Sequence, residues 1–292
     1  MSAGYSGNSA FGRDIMKLIL ATAALFLLPT ASALAQTPPP KNGTPAPAVS
    51  PFIPAGNLVP NISDAHWQVA LVDGDDNRRS QFCGGTLIAA GWVLTAAQCV
   101  DNPKVQKDPK RLDVIAATLN YTTGGERSDV DKIFVHPKWR QTGTQYDFDA
   151  ALLKLKTPVT SVQPIKVISP TGTLPEGPEV MVTGWSALSE GSLGSENLMM
   201  VHVPVISNAV CNEPASYDGR VSAQMFCAGL RDGGLDSCQG DGGGPVMSTI
   251  SGSKEVVGIV SWGFGCARRL KYGVYTRVTI VSQWVSDTMA GN

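Results

Sequence analysis

From about Leu58 to its end the chain reads as short runs rich in Val, Ile and Leu, each broken after a few residues by Gly, Pro, Asn or Asp. This spacing limits the fold more than any other feature. A buried strand needs only roughly four to eight residues, whereas a core-facing helix needs about ten or more. Strands are predicted at Trp67–Val72, Thr86–Thr95, Arg111–Ala116, Val130–Val135, Ala150–Leu155, Val180–Trp185, Val201–Val205, Val256–Trp262 and Gly273–Val278. With no helix between them they predict an all-β fold, as barrels or a sandwich. The C-terminus differs: Ile280, Val281, Trp284, Val285 and Met289 are read as one apolar face of a closing α-helix.

The first 57 residues have another character. Met16-Lys17, an apolar run from Leu18 to Leu28, Pro29 and then Ala33-Leu34-Ala35 have the layout of a secretory signal peptide over residues 1–35, with cleavage after Ala35. Met16 is a second candidate start. The apolar run is far shorter than the ~20 residues that cross a bilayer. Residues 36–57 hold Pro38-Pro39-Pro40, Pro45, Pro47, Pro51 and Pro54 among small residues, a linker or pro-segment that favours extended chain over a core. The expected destination is secreted or periplasmic. There, six cysteines suggest three disulfide bridges; the absence of C-x-x-C spacing and the presence of only three His argue against a metal site. With 23 basic and 24 acidic residues the chain has no excess charge for phosphate neutralisation, so no nucleic-acid partner is expected.

Three stretches carry a resemblance: Cys83-Gly84-Gly85-Thr86-Leu87-Ile88, then Trp92-Val93-Leu94-Thr95-Ala96-Ala97-Gln98-Cys99, and Asp236-Ser237-Cys238-Gln239-Gly240-Asp241-Gly242-Gly243-Gly244-Pro245. Together with Asp149-Ala150-Ala151-Leu152-Leu153-Lys154-Leu155, Ser261-Trp262-Gly263 and Gly273-Val274-Tyr275-Thr276-Arg277-Val278, they resemble the chymotrypsin/trypsin-like serine proteases over residues 58–290. The resemblance implies two six-stranded antiparallel β-barrels, the first ending near residue 160 and the second starting near 161, with a C-terminal α-helix. It also implies the bridges Cys83–Cys99, Cys211–Cys227 and Cys238–Cys266, and no cofactor.

In that family a serine attacks the peptide carbonyl, a histidine takes its proton, an aspartate orients the histidine, and two backbone N–H groups hold the oxyanion. Asp149 matches the aspartate, but Gln98 stands where the histidine belongs and Gly242 where the serine belongs. An amide has no useful basicity near neutral pH, and a glycine has no hydroxyl to acylate. His66, His136 and His202 match no catalytic position. The resemblance places the oxyanion donors at Gly240 and Gly242. It places substrate-binding residues at Asp236, at the base of a Lys- or Arg-specific pocket, at Gly263 and Gly273, which keep that pocket open, and along the edge strand Ser261-Trp262. Tyr272 matches a position where some relatives with Tyr bind a monovalent cation.

Relatives also carry a basic residue before an I-V-G-G terminus, whose amine pairs with the aspartate matched by Asp241. Here the stretch is Pro54-Ala55-Gly56-Asn57-Leu58-Val59-Pro60-Asn61, with no basic residue. A precursor-like, partly disordered loop over 236–244 is therefore expected. The functional expectation is an inactive homologue that binds a peptide or protein presenting Lys or Arg. The alternatives are an active-site variant of an endopeptidase that cuts after Lys or Arg, and a structural or decoy protein that does not use the cleft.

Overall fold

A computed structural model describes residues 56–74, 81–101, 109–142 and 145–292. All belong to one compact unit, Val49–Asn292. The signal peptide and nearly all of the Pro-rich segment lie outside the described residues.

In chain order the strands are β1 (Asn57–Leu58), β2 (Gln68–Asp73), β3 (Gln81–Ala89), β4 (Trp92–Thr95), β5 (Leu112–Ala116), β6 (Glu126–Val135), β7 (Arg140–Thr142), β8 (Gln145–Asp147), β9 (Ala151–Leu155) and β10 (Lys166–Val167). They continue as β11 (Glu179–Gly184), β12 (Met199–Ile206), β13 (Met225–Ala228), β14 (Pro245–Ile250), β15 (Ser253–Trp262) and β16 (Gly273–Arg277). The single-turn helices α1 (Ala97–Val100) and α2 (Asn208–Cys211) interrupt them, and α3 (Val278–Ala290) ends the chain. Two antiparallel barrels result. The first closes in the order β2-β3-β4-β9-β6-β5. The second runs β12-β11-β14-β15-β16-β13 and closes where Val205 and Ile206 pair with Ala228 and Cys227.

The apolar run Val69–Val72 of β2 and the largely apolar β5, in which Asp113 is the exception, follow from burial on both faces. Val69, Leu71, Leu112 and Val114 fill the core cluster that contains the barrel interior, while Ala70, Val72 and Ile115 point outward onto Trp185 and Leu198 of the second barrel. Each fully buried Val or Leu contributes about 1.5–3 kcal/mol relative to exposure. This seam therefore fixes the two barrels against each other and positions the cleft between them. It is reinforced by hydrogen bonds from Gly84 N–H to Gly242 O (2.7 Å) and from Trp185 Nε1 to Leu119 O (3.1 Å).

The structure corrects several sequence expectations. Thr86–Thr95 is two strands, because Ala90-Gly91 reverses the chain between β3 and β4. The sheet is not free of intervening helices, since α1 and α2 each supply one turn. In α3 the buried residues are Val278, Val281, Ser282 and Val285, while Ile280 is 45% exposed. At about 100° per residue, Ile280 falls well off the stripe that Val278, Val281 and Val285 form. Trp284 and Met289 pack at its margin. The three disulfides are Cys83–Cys99, Cys211–Cys227 and Cys238–Cys266, as the resemblance implies. Among the described residues no helix is long and apolar enough to cross a membrane.

Candidate functional site

The cleft is a cavity of about 330 Å³ whose wall includes Gln98, Asp236, Gly240, Gly242, Ser261 and Gly273. Gln98 is carried by α1, the turn that follows β4 of the first barrel. Its backbone N–H donates to Asp149 Oδ1 at 2.9 Å and its side-chain Nε2 to Asp149 Oδ2 at 2.7 Å. The same Nε2 also donates to Ser261 O. Ser261 Oγ donates to Asp149 Oδ2 at 2.6 Å, and Thr276 Oγ1 to the Asp149 carbonyl at 2.9 Å. Asp149 is fully buried. Burial pushes its carboxyl up to about 6, against the pull of the Ser261 hydroxyl and the Gln98 and Ala97 donors. The structure thus brings Gln98, Asp149 and Ser261 into one network.

Gly242 lies beside it. A Cβ built there meets only Cys83 Sγ, at 3.8 Å, so space does not demand glycine. The next residue differs: Gly243 has φ +81°, and a Cβ there would fall 2.3 Å from Thr95 Oγ1 and 2.6 Å from Gly84 O. The backbone turn is therefore held by Gly243, while position 242 is open to a side chain. Among the described residues, neither the Gly240 nor the Gly242 N–H has an intramolecular acceptor. Two donors remain on the cleft wall.

The loop over 236–244, expected to be partly disordered, carries a set of hydrogen bonds. Asp241 N–H donates to Cys238 O at 3.1 Å, Gly244 N–H to Asp241 O at 2.8 Å and Gly243 N–H to Val260 O at 2.8 Å. Gln81 Nε2 pins the Gly240 carbonyl at 2.8 Å. Among the described residues no cation pairs with Asp241. Cys238 N–H reaches its Oδ2 at 3.0 Å, and Ser186 lies close enough to favour the charged form, yet no hydrogen bond of normal geometry reaches Oδ1. Burial pushes the Asp241 carboxyl up to about 6.

Asp236 ends the pocket. Its Oδ1 accepts from Ser237 N–H at 2.9 Å and its Oδ2 from Ala267 N–H at 3.0 Å. It is buried, and that burial, aided by the charge of Asp241, pushes it up to about 7 despite the two donors. Gly273 makes room for it, since a Cβ there would lie 2.2 Å from the Tyr275 hydroxyl and 2.9 Å from Asp236 Oδ1. Gly263 has only ordinary contacts around a built Cβ, the nearest at 3.7 Å. Trp262 is braced edge-on by Tyr217 at 5.0 Å between ring centroids. Tyr272 is buried and its carbonyl accepts from Tyr217 OH at 2.6 Å.

The three histidines lie elsewhere. His66 Nδ1 contacts Gln163 O at 2.6 Å. His136 is buried, stacked on Phe148 with Trp284 edge-on, and is pushed down to about 4 by burial and by Lys138. His202 is exposed on β12. None contributes to the Asp149 network.

A family model described as Trypsin matches residues 55–285. The chain belongs to the trypsin family. Similar proteins include Trypsin of Sus scrofa, 35% identical over 82% of this chain and 94% of that one, and Cationic trypsin-3 of Rattus norvegicus, 37% identical over 77% and 85%. Trypsin 5G1 of Aedes aegypti is 38% identical over 71% and 75%. Against this family frame, sequence reasoning missed what the Gln98 amide does. It also missed Thr95 and Thr276, whose hydroxyls tie the cleft backbone through Gly84 O and Asp149 O. A hydroxyl just before or after a buried strand end is too common in sequence to single these out.

Proposed function

We propose that this chain is an exported trypsin-family protein without peptidase chemistry, which holds a Lys- or Arg-bearing segment of a peptide or protein in its cleft. One observation carries the reading. An amide and a glycine occupy the positions of base and nucleophile, while the cleft around them keeps a buried carboxylate, the end of β15 that runs on past its pairing with β14, and two unpaired N–H donors. Gln98 Nε2 is committed to Asp149 and Ser261, and its lone pair is delocalised into the amide carbonyl, so it takes up no proton near neutral pH. At position 242 there is no atom to form an acyl intermediate. Asp236, when ionised, offers a charge-assisted partner to an ammonium or guanidinium group. β15 is an interior strand of its barrel, but its end at Ser261-Trp262 lies beyond the pairing with β14 and offers backbone pairing to an extended chain.

The signal-peptide reading of residues 1–35 supports export, and the three disulfides suit an oxidising compartment. A second reading is supported by the open space at Gly242: a recently inactivated or altered endopeptidase whose scaffold still accepts a serine. The test of binding is calorimetry with a peptide carrying one central Arg, followed by mass spectrometry of the same mixture after prolonged incubation. Binding with the peptide intact is expected. Cleavage after Arg would overturn the reading, and no binding would favour a role that leaves the cleft unused.

A further inference from the structure

Asp149 Oδ2 and the Ser261 carbonyl, the two atoms facing the Gln98 amide, can only accept hydrogen bonds when the carboxyl is ionised. The nitrogen must therefore be on their side, and both of its hydrogens are used there. The backbone N–H of the same residue is tied to Asp149 Oδ1 at 2.9 Å, so the group is clamped at both ends. The amide is planar, which leaves Oε1 as the uncommitted polar atom of the Gln98 side chain among the described residues, on an exposed residue of the cleft wall. The neighbouring position has no hydroxyl to donate to it, and a Cβ built at Gly242 would meet only Cys83 Sγ. Gln98, with its uncommitted acceptor, lines the same cavity as Gly240 and Gly242, whose N–H groups are unpaired.

Resting on the cleft-binding reading above, we infer that Gln98 is a peptide-binding residue whose Oε1 accepts a hydrogen bond from a backbone N–H of the bound, uncut chain. The site then offers an acceptor at Gln98 and donors at Gly240 and Gly242, complementary to the N–H and C=O groups of one extended peptide. A neutral amide suits this role because it presents the same acceptor at every pH, whereas an imidazole would lose its acceptor on protonation. Ser261 O, though it already receives Gln98 Nε2, has a second lone pair for the ligand strand.

The test uses the full chain, a fluorescent peptide with one central Arg, and a series in which each backbone N–H near the Arg is replaced in turn by an ester oxygen. Benzamidine, which reads the Asp236 pocket alone, serves as the control for folding. In the parent protein, one ester position is expected to weaken binding about tenfold, the loss of one well-placed hydrogen bond. In Gln98→Met the all-amide peptide should bind about tenfold more weakly, and that ester position should have no further effect. Benzamidine binding should be unchanged. Gln98→His, whose neutral ring restores an acceptor nitrogen, should recover sensitivity to the ester. The same ester profile in parent and Gln98→Met would overturn the assignment, as would benzamidine binding to a parent that does not bind the peptide. If neither probe binds the parent, the cleft-binding reading itself fails.

Discussion

On the proposed reading, Asp236 should make the pocket's affinity for cations steeply dependent on pH. The perturbation is acidification, read with benzamidine, which stays cationic throughout. An exposed carboxyl near its ordinary value of 3.8 would be ionised at every pH above about 5, and affinity would be flat. Burial instead places this group at about 7. Only the ionised form pairs with the amidinium, so at pH 6 about one carboxyl in eleven is ready, and affinity should be about tenfold below its plateau. At pH 5 the loss approaches a hundredfold, and above about pH 8 the curve is level. Binding at pH 6 should also release close to one proton, visible by calorimetry as a heat that varies with the buffer. Asp149 and Asp241 titrate nearby, each at about 6, so Asp236→Asn is the control that assigns the curve. This variant should bind weakly with no slope. Affinity that stays level from pH 5 to 8 in the parent would refute the reasoning.

Other consequences follow from the same geometry. Gly242→Ala should stabilise the fold by about 0.4–1 kcal/mol, because the site has room and an ordinary φ, while Gly243→Ala should cost about 3 kcal/mol or more; urea unfolding separates the two. Fluorophosphonate labelling should remain absent in Gln98→His and in Gly242→Ser and appear only in the double variant, since each change restores one of two missing roles. Removing Cys83–Cys99, which spans 16 residues, should cost about 3 kcal/mol in the same unfolding assay. Asp149, Asp236 and Asp241 are all raised from 3.8 to about 6–7, so their contribution to stability is complete below pH 3.8 and lost as pH rises through 6–7. His136, lowered to about 4, acts oppositely and weakens the fold as pH falls from 6.5 through 4. Thermal unfolding should therefore show greatest stability on the acid side of neutrality, and Asp149→Asn should stabilise more at pH 8 than at pH 4.

The barrels were legible because their strands alternate with turn residues, and because β2 and β5, buried on both faces, read as apolar runs, that of β5 broken only by Asp113. β13 and β14 escaped for opposite reasons. Met225–Ala228 is too short to show any period, and Pro245–Ile250 follows Gly242-Gly243-Gly244, which reads as a continuing loop. At the site, the proposed loss of base and nucleophile rests on residue identity, since no fold can give an amide the basicity of imidazole. The direction of the Gln98 amide cannot be read this way. It depends on which acceptors, Asp149 and Ser261 O, converge from residues 51 and 163 positions away. The closed hydrogen-bonding of the 236–244 loop was hidden for the same reason, because Gln81 reaches Gly240 O across 159 residues.

The reading depends on the absence of a nucleophile at Gly242 and of a base at Gln98, the two positions that would have to form and activate an acyl intermediate. It is tested most directly by exposing the purified chain, freed of its first 35 residues, to a fluorophosphonate probe and to a Lys or Arg amide substrate. The account predicts no adduct by intact mass and no turnover above a protein-free blank. A covalent adduct, or release of the amine at a rate that scales with protein concentration and disappears in Asp149→Ala, would contradict it.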